Sequence, residues 1–310
     1  MLDPEARTAL AQIALIDDAL VPGRPRFDLT RTRREQRAQG MILSRSGIAV
    51  PVARVTDLDA DGLRCRMFAP EGRVPVVLYI HGGGWALGSP EECEAFCRRL
   101  TLRSGWATIA PDYRLAPEHP YPAALEDIER VLTWLQERGE TLDLDTSRLA
   151  LAGDSAGANL AAATALRARD RGGTDITFQV LLCPALDLDG DFPSRRLFAH
   201  GFGLEPETMA WSAFAYAPDP DLRVRPDVSP LRASSLEGLP PSLIATAEHD
   251  PLRDEGEAYA ARLADAGNAV TATRHLGAIH FFTDPTRFAA ADTLVDHIAG
   301  ALRRVGDTRG

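Results

Sequence analysis

RLALAGDSAGANLAAATALRARD, residues 148–170, is the stretch on which the fold turns. Arg148 to Ala152 is an apolar run of strand type, and Ala156 to Arg169 has the alanine-rich composition of a helix. Between them stands Gly153-Asp154-Ser155-Ala156-Gly157, a G-x-S-x-G pattern. A chain that passes from strand to helix in so few residues must turn sharply. A serine at the apex then takes a strained backbone that only small neighbours allow, which explains Gly153, Ala156 and Gly157. The turn presents the Ser155 hydroxyl at the carboxyl edge of a sheet, where the amides and partial positive charge of a helix N-terminus face a developing anion. Ser155 is the candidate nucleophile. The same pattern also arises as a plain strand-to-helix turn, so the rest of the chain must supply its partners.

On either side, apolar runs alternate with amphipathic stretches. Val74 to Ile80, Trp106 to Ala110, Ile176 to Leu182, Leu243 to Ala247 and Val270 to His275 read as further strands, with no strand pattern before residue 48. Glu92 to Arg103, Ala123 to Arg138, Glu255 to Ala266 and Arg287 to Arg303 read as helices, and Gly139 and Gly267 fall where helix C-caps belong. Short apolar strands separated by helices imply an α/β fold with a mostly parallel, buried central sheet flanked by helices. Ala6 to Leu20 has helical spacing, followed by a break at Pro22, Gly23 and Pro25 and an arginine-rich second helix. From 187 to 225 the rhythm fails: Phe192, Phe198, Phe202, Trp211, Phe214 and Tyr216 sit among prolines and glycines without a strand, and the interval reads as an inserted cap.

His81-Gly82-Gly83-Gly84-Trp85 follows the strand Val74 to Ile80 directly. Attack on a carbonyl creates an oxyanion that needs fixed donors about 2.7 to 3.1 Å away, and glycines let backbone amides turn toward it. The Ala156 amide adds a further donor. A phosphate cradle is the competing reading, but the P-loop lysine and the dinucleotide glycine spacing are missing. His81 itself precedes the nucleophile and is expected to shape its own loop.

An acid and a base are then expected in that order, each on a loop after a late strand. Leu243 to Ala247 leads into Glu248-His249-Asp250-Pro251-Leu252-Arg253-Asp254-Glu255, which makes Asp250 the candidate acid. Asp254 is the rival, more simply explained as the N-cap of the helix near Glu255, and Glu248 is weaker. After Val270 to His275 comes Leu276-Gly277-Ala278-Ile279-His280, which makes His280 the candidate base. His275 is expected half buried within its strand, His249 lies too close to Asp250 in sequence, and His119, His200 and His297 lack such a context.

Composition removes other classes. The 310 residues carry a formal net charge of -10, and all 34 basic residues are arginine, a balance that repels nucleic acid. The run Arg31, Arg33, Arg34 and Arg37 reads as a solvated helix face. No segment approaches the roughly 18 apolar residues of a membrane span and no signal-peptide layout appears, so a cytoplasmic location is expected. Cys65, Cys93, Cys97 and Cys183 are irregularly spaced and read as free buried thiols. Cys93 and Cys97 share a helix face, but no second pair completes a metal site. Neither cofactor nor metal is expected.

With these residues in place, the chain resembles the bacterial hormone-sensitive-lipase-like carboxylesterases, family IV of the α/β-hydrolase superfamily, over nearly its whole length. Besides HGGGW and GDSAGAN, Asp112-Tyr113-Arg114-Leu115-Ala116-Pro117-Glu118-His119-Pro120-Tyr121-Pro122-Ala123-Ala124 and Asp250-Pro251-Leu252-Arg253-Asp254-Glu255-Gly256 are similar to family signatures. The resemblance implies hydrolysis of short- to medium-chain esters by Ser155, His280 and Asp250, with Gly83, Gly84 and Ala156 as oxyanion donors and Gly82 turned elsewhere. It implies that Asp112, Tyr113 and Arg114 are structural, and that residues 1–45 and 187–225 form a helical cap on a single domain of residues 1–310. Phe281 stands where relatives usually carry a smaller residue. The motifs equally accommodate an amidase, a lactonase or an aryl-ester hydrolase, and a receptor-like binding protein is the reading from another class, against which His280 argues. Homodimers are common in the family.

Overall fold

The computed structural model describes residues 1–18, 33 and 50–307. The arginine-rich helix expected near residue 31 lies outside these residues except for Arg33, which is helical, as does the Pro22 to Pro25 break.

Eight strands form one sheet in the order β1-β2-β4-β3-β5-β6-β7-β8. β3 (Val74–Ile80), β4 (Ala107–Pro111), β5 (Leu144–Asp154), β6 (Phe178–Leu182), β7 (Ser242–His249) and β8 (Val270–Ile279) run parallel. These are the strands expected from the sequence, with ends shifted by a few residues. Their near-continuous apolar composition follows from cover on both faces. Along β3, Val76, Leu78 and Ile80 enter one core cluster while Val77 and Tyr79 enter the other, and Leu149 and Leu151 alternate in the same way with Ala150 and Ala152 along β5. On the first face lie α3 (Ala123–Arg138), α4 (Ala156–Arg171) and α8 (Arg253–Asp265). On the second lie α2 (Glu94–Ser104), α9 (Ala290–Asp307) and the first turns of α1 (Pro4–Asp18), through Ala6 and Ala9.

Two strands escaped the sequence reading. β1 (Arg54–Ala60) and β2 (Leu63–Ala69) form an antiparallel hairpin that joins the sheet along β4. β1 is largely exposed, so no apolar run marks it. Its signal lay in the turn instead: Asp61 and Gly62 both have positive φ, 51° and 84°, which is what an Asp-Gly two-residue hairpin turn demands. The glycine caps divide. Gly267 takes the left-handed φ of 82° expected after α8. Gly139 does not: its φ is -57°, the chain continues into a 3-10 turn, and Asp143 takes the left-handed position. Gly139 is glycine for space, because a Cβ there would strike Thr146.

The strand order reverses at β3. From β3 the chain crosses to β4 on one side and returns to β5 on the other, and the carboxyl ends of β3 and β5 lie side by side, Ile80 opposite Gly153. Open parallel sheets form their binding crevice at such a reversal. The 187–225 interval contains α5 (Pro193–Leu197), α6 (Pro206–Tyr216) and α7 (Pro220–Arg223), with no strand among these described residues.

Candidate active site

Ser155 occupies the turn between β5 and α4 with φ 54° and ψ -118°, a strained conformation of the kind that costs about 1–3 kcal/mol. Close approach holds it. Ser155 N donates to Leu182 O at 2.8 Å, and a Cβ on Gly153 or Gly157 would run into the carbonyl oxygen of Ile80. The two glycines thus let the elbow press against the end of β3. This is why small residues surround the serine.

His280 follows β8 and is buried. Its Nε2 lies 3.0 Å from Ser155 Oγ, and its Nδ1 lies 2.8 Å from Asp250 Oδ2. Because a carboxylate only accepts, Nδ1 carries the hydrogen and Nε2 is left as acceptor for the serine hydroxyl. Asp250 is fully buried, and Leu252 N donates to its other oxygen at 2.9 Å. Burial pushes the His280 pKa down, but the charge and hydrogen bond of Asp250, helped by Asp154 and Glu255, win and leave it above the ordinary histidine value.

The glycine loop lies beside this pair. Gly82 N donates to Asp154 Oδ1 at 3.0 Å, so that amide faces away from the serine, whereas the amides of Gly83, Gly84 and Ala156 have no such partner among the described residues. Gly83 and Gly84 have φ of 113° and 58°. His81 supports the loop as anticipated: its Nδ1–H donates to Gly82 O at 2.9 Å, and its ring stacks on Tyr113 at 4.3 Å. Tyr113 Oη donates to His81 O at 2.9 Å, and Arg114 clasps the buried Asp127, which is the structural part expected of that signature.

The rejected candidates are elsewhere. Asp254 does not cap α8, whose first residue is Arg253 and whose N-cap is Leu252; its carboxylate instead accepts Ser194 N at 2.8 Å. Glu248 accepts Gly277 N at 2.7 Å. His275 is half buried beside Phe282, at 4.5 Å between rings, and burial lowers its pKa. His249 stacks on Phe202 at 5.6 Å. Phe281 stands edge-on to His280 at 5.4 Å and is 37% exposed.

Four residues had no part in the site as read from the sequence. Asp154, the variable position of G-x-S-x-G, ties elbow to glycine loop by accepting both Gly82 N and Tyr79 Oη, the latter at 2.8 Å. Burial raises its pKa against the pull of Tyr79, His81 and Gly82. Gly88, with φ 97°, makes room for the His81 ring. Cys183 lies beside Asp250 and His280, and burial drives its thiol pKa well up, which keeps it neutral. Ser212, on α6, lies directly against Gly84. Of these, Asp154 alone was visible as part of a motif.

Among the described residues two groups of side chains bring metal-ligating atoms together, Cys183 with Asp250 and His280, and His200 with Glu205 and Glu207. In the first, carboxylate and imidazole are already engaged with each other; the second is largely exposed. The four cysteines are free and buried, and Cys93 and Cys97 lie 3.8 Å apart between sulfurs. Among the described residues no helix is long and apolar enough to cross a membrane.

Residues 77–284 match the family model described as the alpha/beta hydrolase fold. The esterase LipI of Mycobacterium tuberculosis is 41% identical over 227 residues, covering 70% of this chain and 71% of that protein. An arylesterase of Saccharolobus solfataricus is 36% identical over 236 residues, 75% and 77% of the two chains. The hyperthermophilic esterase of the archaeon Pyrobaculum calidifontis superposes with a TM-score of 0.90 at 38% identity, over 98% of this chain and 99% of its own.

Proposed function

We propose that this chain, which belongs to the α/β hydrolase fold family in its hormone-sensitive-lipase-like branch, is a carboxylesterase that cleaves short- to medium-chain carboxylic esters through an acyl-serine intermediate. One observation carries the reading: Ser155 Oγ, His280 Nε2 and Asp250 Oδ2 stand in a continuous chain of contacts of 3.0 and 2.8 Å at the point where the strand order reverses.

In this reaction the ester carbonyl carbon sits in front of Ser155. Oγ attacks it while Nε2 of His280 takes the hydroxyl proton, and Asp250 holds the ring's tautomer and stabilises the imidazolium. The carbonyl oxygen becomes an anion held by the amides of Gly83, Gly84 and Ala156, with the α4 N-terminus behind them. Collapse breaks the bond to the alcohol oxygen, which leaves with the His280 proton. Water then gives one proton to His280, its oxygen attacks the acyl carbon, and the serine is released with the acid.

Segment 187–225, together with the N-terminal region, is the cap in this reading. Its support is the stacking of Trp85, in the glycine loop, on Tyr216 of α6 at 4.6 Å and 4°. The free cysteines fit a reducing, cytoplasmic setting. The similarity to an arylesterase favours aryl esters as a second substrate group.

A serine-directed phosphonate ester tests the proposal: a stoichiometric adduct on the peptide containing Ser155 is expected, and an unlabelled but ligand-binding protein would favour a receptor. Matched p-nitrophenyl esters and anilides then separate esterase from amidase. Faster anilide turnover at equal acyl length would overturn the ester reading.

A further inference from the structure

The loop that carries Asp250 also anchors the segment that follows β6. α5 and α8 present their N-termini to each other, and neither has a side-chain cap of its own: the N-cap positions are Phe192 and Leu252. Two positive helix ends facing one another would repel, and Ser194 N and Asp254 N would be left without partners. Each helix supplies what the other lacks. Asp254 Oδ2 accepts Ser194 N at 2.8 Å, while Ser194 Oγ accepts Asp254 N at 3.2 Å and donates to Pro251 O at 2.7 Å.

Glu255 completes the joint. It is fully buried, and its Oε1 accepts Leu186 N at 2.6 Å and Asp187 N at 3.4 Å, at the residues where the chain leaves the core after β6. Its Oε2 receives Arg195, at 2.7 and 3.2 Å from two guanidinium nitrogens, and Arg195 reaches on to the Asp187 and Leu188 carbonyls. Burial lifts the Glu255 pKa to about 7, against the pull of Arg195 and the two amides. On the other flank of Asp250, His249 stacks on Phe202, and the Arg253 guanidinium lies 5.0 Å above Phe198. Thus five of the residues around Asp250, namely His249, Pro251, Arg253, Asp254 and Glu255, grip residues 186–202.

We propose that Ser194, Arg195 and Glu255 are positioning residues, which dock the 187–202 segment onto the Asp250 loop so that the orientation of the Asp250–His280 pair depends on that docking. The inference rests on the esterase reading and deepens it. None of the three touches the reacting atoms; they act through Pro251, Asp254 and the backbone around the acid, and Glu255 also through its charge on His280.

Steady-state kinetics of Arg195→Ala and Ser194→Ala across pH, beside the wild type, provide the test. Displacing a reacting group by about 1 Å costs on the order of 10²-fold, so a partial loosening is expected to lower kcat about tenfold. KM is expected to rise, and the acid limb of kcat/KM to move to lower pH as His280 loses support from Asp250. Arg195→Lys, which keeps the charge without the planar fork, should recover part of both effects. Variants that melt earlier yet keep the wild-type kcat and acid limb would overturn the coupling and leave only a stabilising role. If Glu255→Gln does not fold, Ser194→Ala still decides the matter. Phosphonate labelling at Ser155 in the same samples keeps the two ideas apart: wild type that fails to label sinks the esterase reading, whereas labelling with an unmoved acid limb sinks this one.

Discussion

The two halves of the site are built on different principles. The half at β3 and β5, with Ser155 and the glycine loop, is held by backbone pressed against backbone: Gly153 and Gly157 against Ile80, Gly83 against Leu87. The half at β7 and β8, with Asp250 and His280, is held by side chains reaching across long sequence distances, such as Glu255 to Leu186 and Asp254 to Ser194. At Gly83, Gly153 and Gly157 the first half has no freedom to relax when a methyl group is added, because the nearest atoms it would meet are backbone. The second can shift by rotamer and therefore can respond to its surroundings.

That contrast can be broken most severely at Ser155, the proposed nucleophile. Ser155→Ala is expected to lower kcat by about six orders of magnitude, because members of such a triad act as a unit. Most of the wild-type rate surviving in that variant would end the mechanism. A smaller but more discriminating effect is expected from Gly157→Ala. Its Cβ would collide with the backbone carbonyls of Ile80 and His81, which cannot rotate away. A loss of about 1–3 kcal/mol of stability and roughly 10²-fold in kcat should follow, read by denaturant unfolding and p-nitrophenyl ester turnover. Near-normal rate and stability would show that the close-packed half is softer than the geometry implies.

The gentlest probe is pH. In the proposed mechanism His280 must be neutral to accept the serine proton, and its pKa in the fold lies above the ordinary 6.5. kcat/KM should therefore rise with pH along a limb whose midpoint is above 6.5. The same shift has an opposite sign for stability: the charged imidazolium paired with Asp250 stabilises the fold fully below about 6.5, and that contribution disappears as pH climbs through the folded value. Asp250→Asn should move the limb below its wild-type position; an unchanged limb would mean that the carboxylate does not set the basicity of His280.

The same contrast explains what could be read from sequence. Backbone-pressed structure leaves its mark as glycine at fixed offsets, so the elbow, the HGGGW loop and the strands that lead to them were legible. His280 was legible only as a polar residue after a late strand, Asp250 by its place in a family-like signature as well, and Asp254 was misjudged, since its partner Ser194 is sixty residues away and no local rule connects them. The β1–β2 hairpin was missed for another reason: its outer strand faces water and lacks an apolar run, and only Asp61-Gly62 announces it. Cys183 read correctly as a buried thiol, yet nothing in its neighbours in sequence placed it beside Asp250.

Residues 183–241 bridge β6 and β7, strands that are immediate neighbours in the sheet, so both ends of this long excursion are fixed one strand spacing apart. Doubling the length of such a loop costs only about 0.6 kcal/mol in closure entropy, and no strand register has to slip to absorb it. Insertions and deletions there can change the length of the excursion without disturbing the strands that carry Ser155, Asp250 and His280, provided that the attachment at residues 186–195 survives the change.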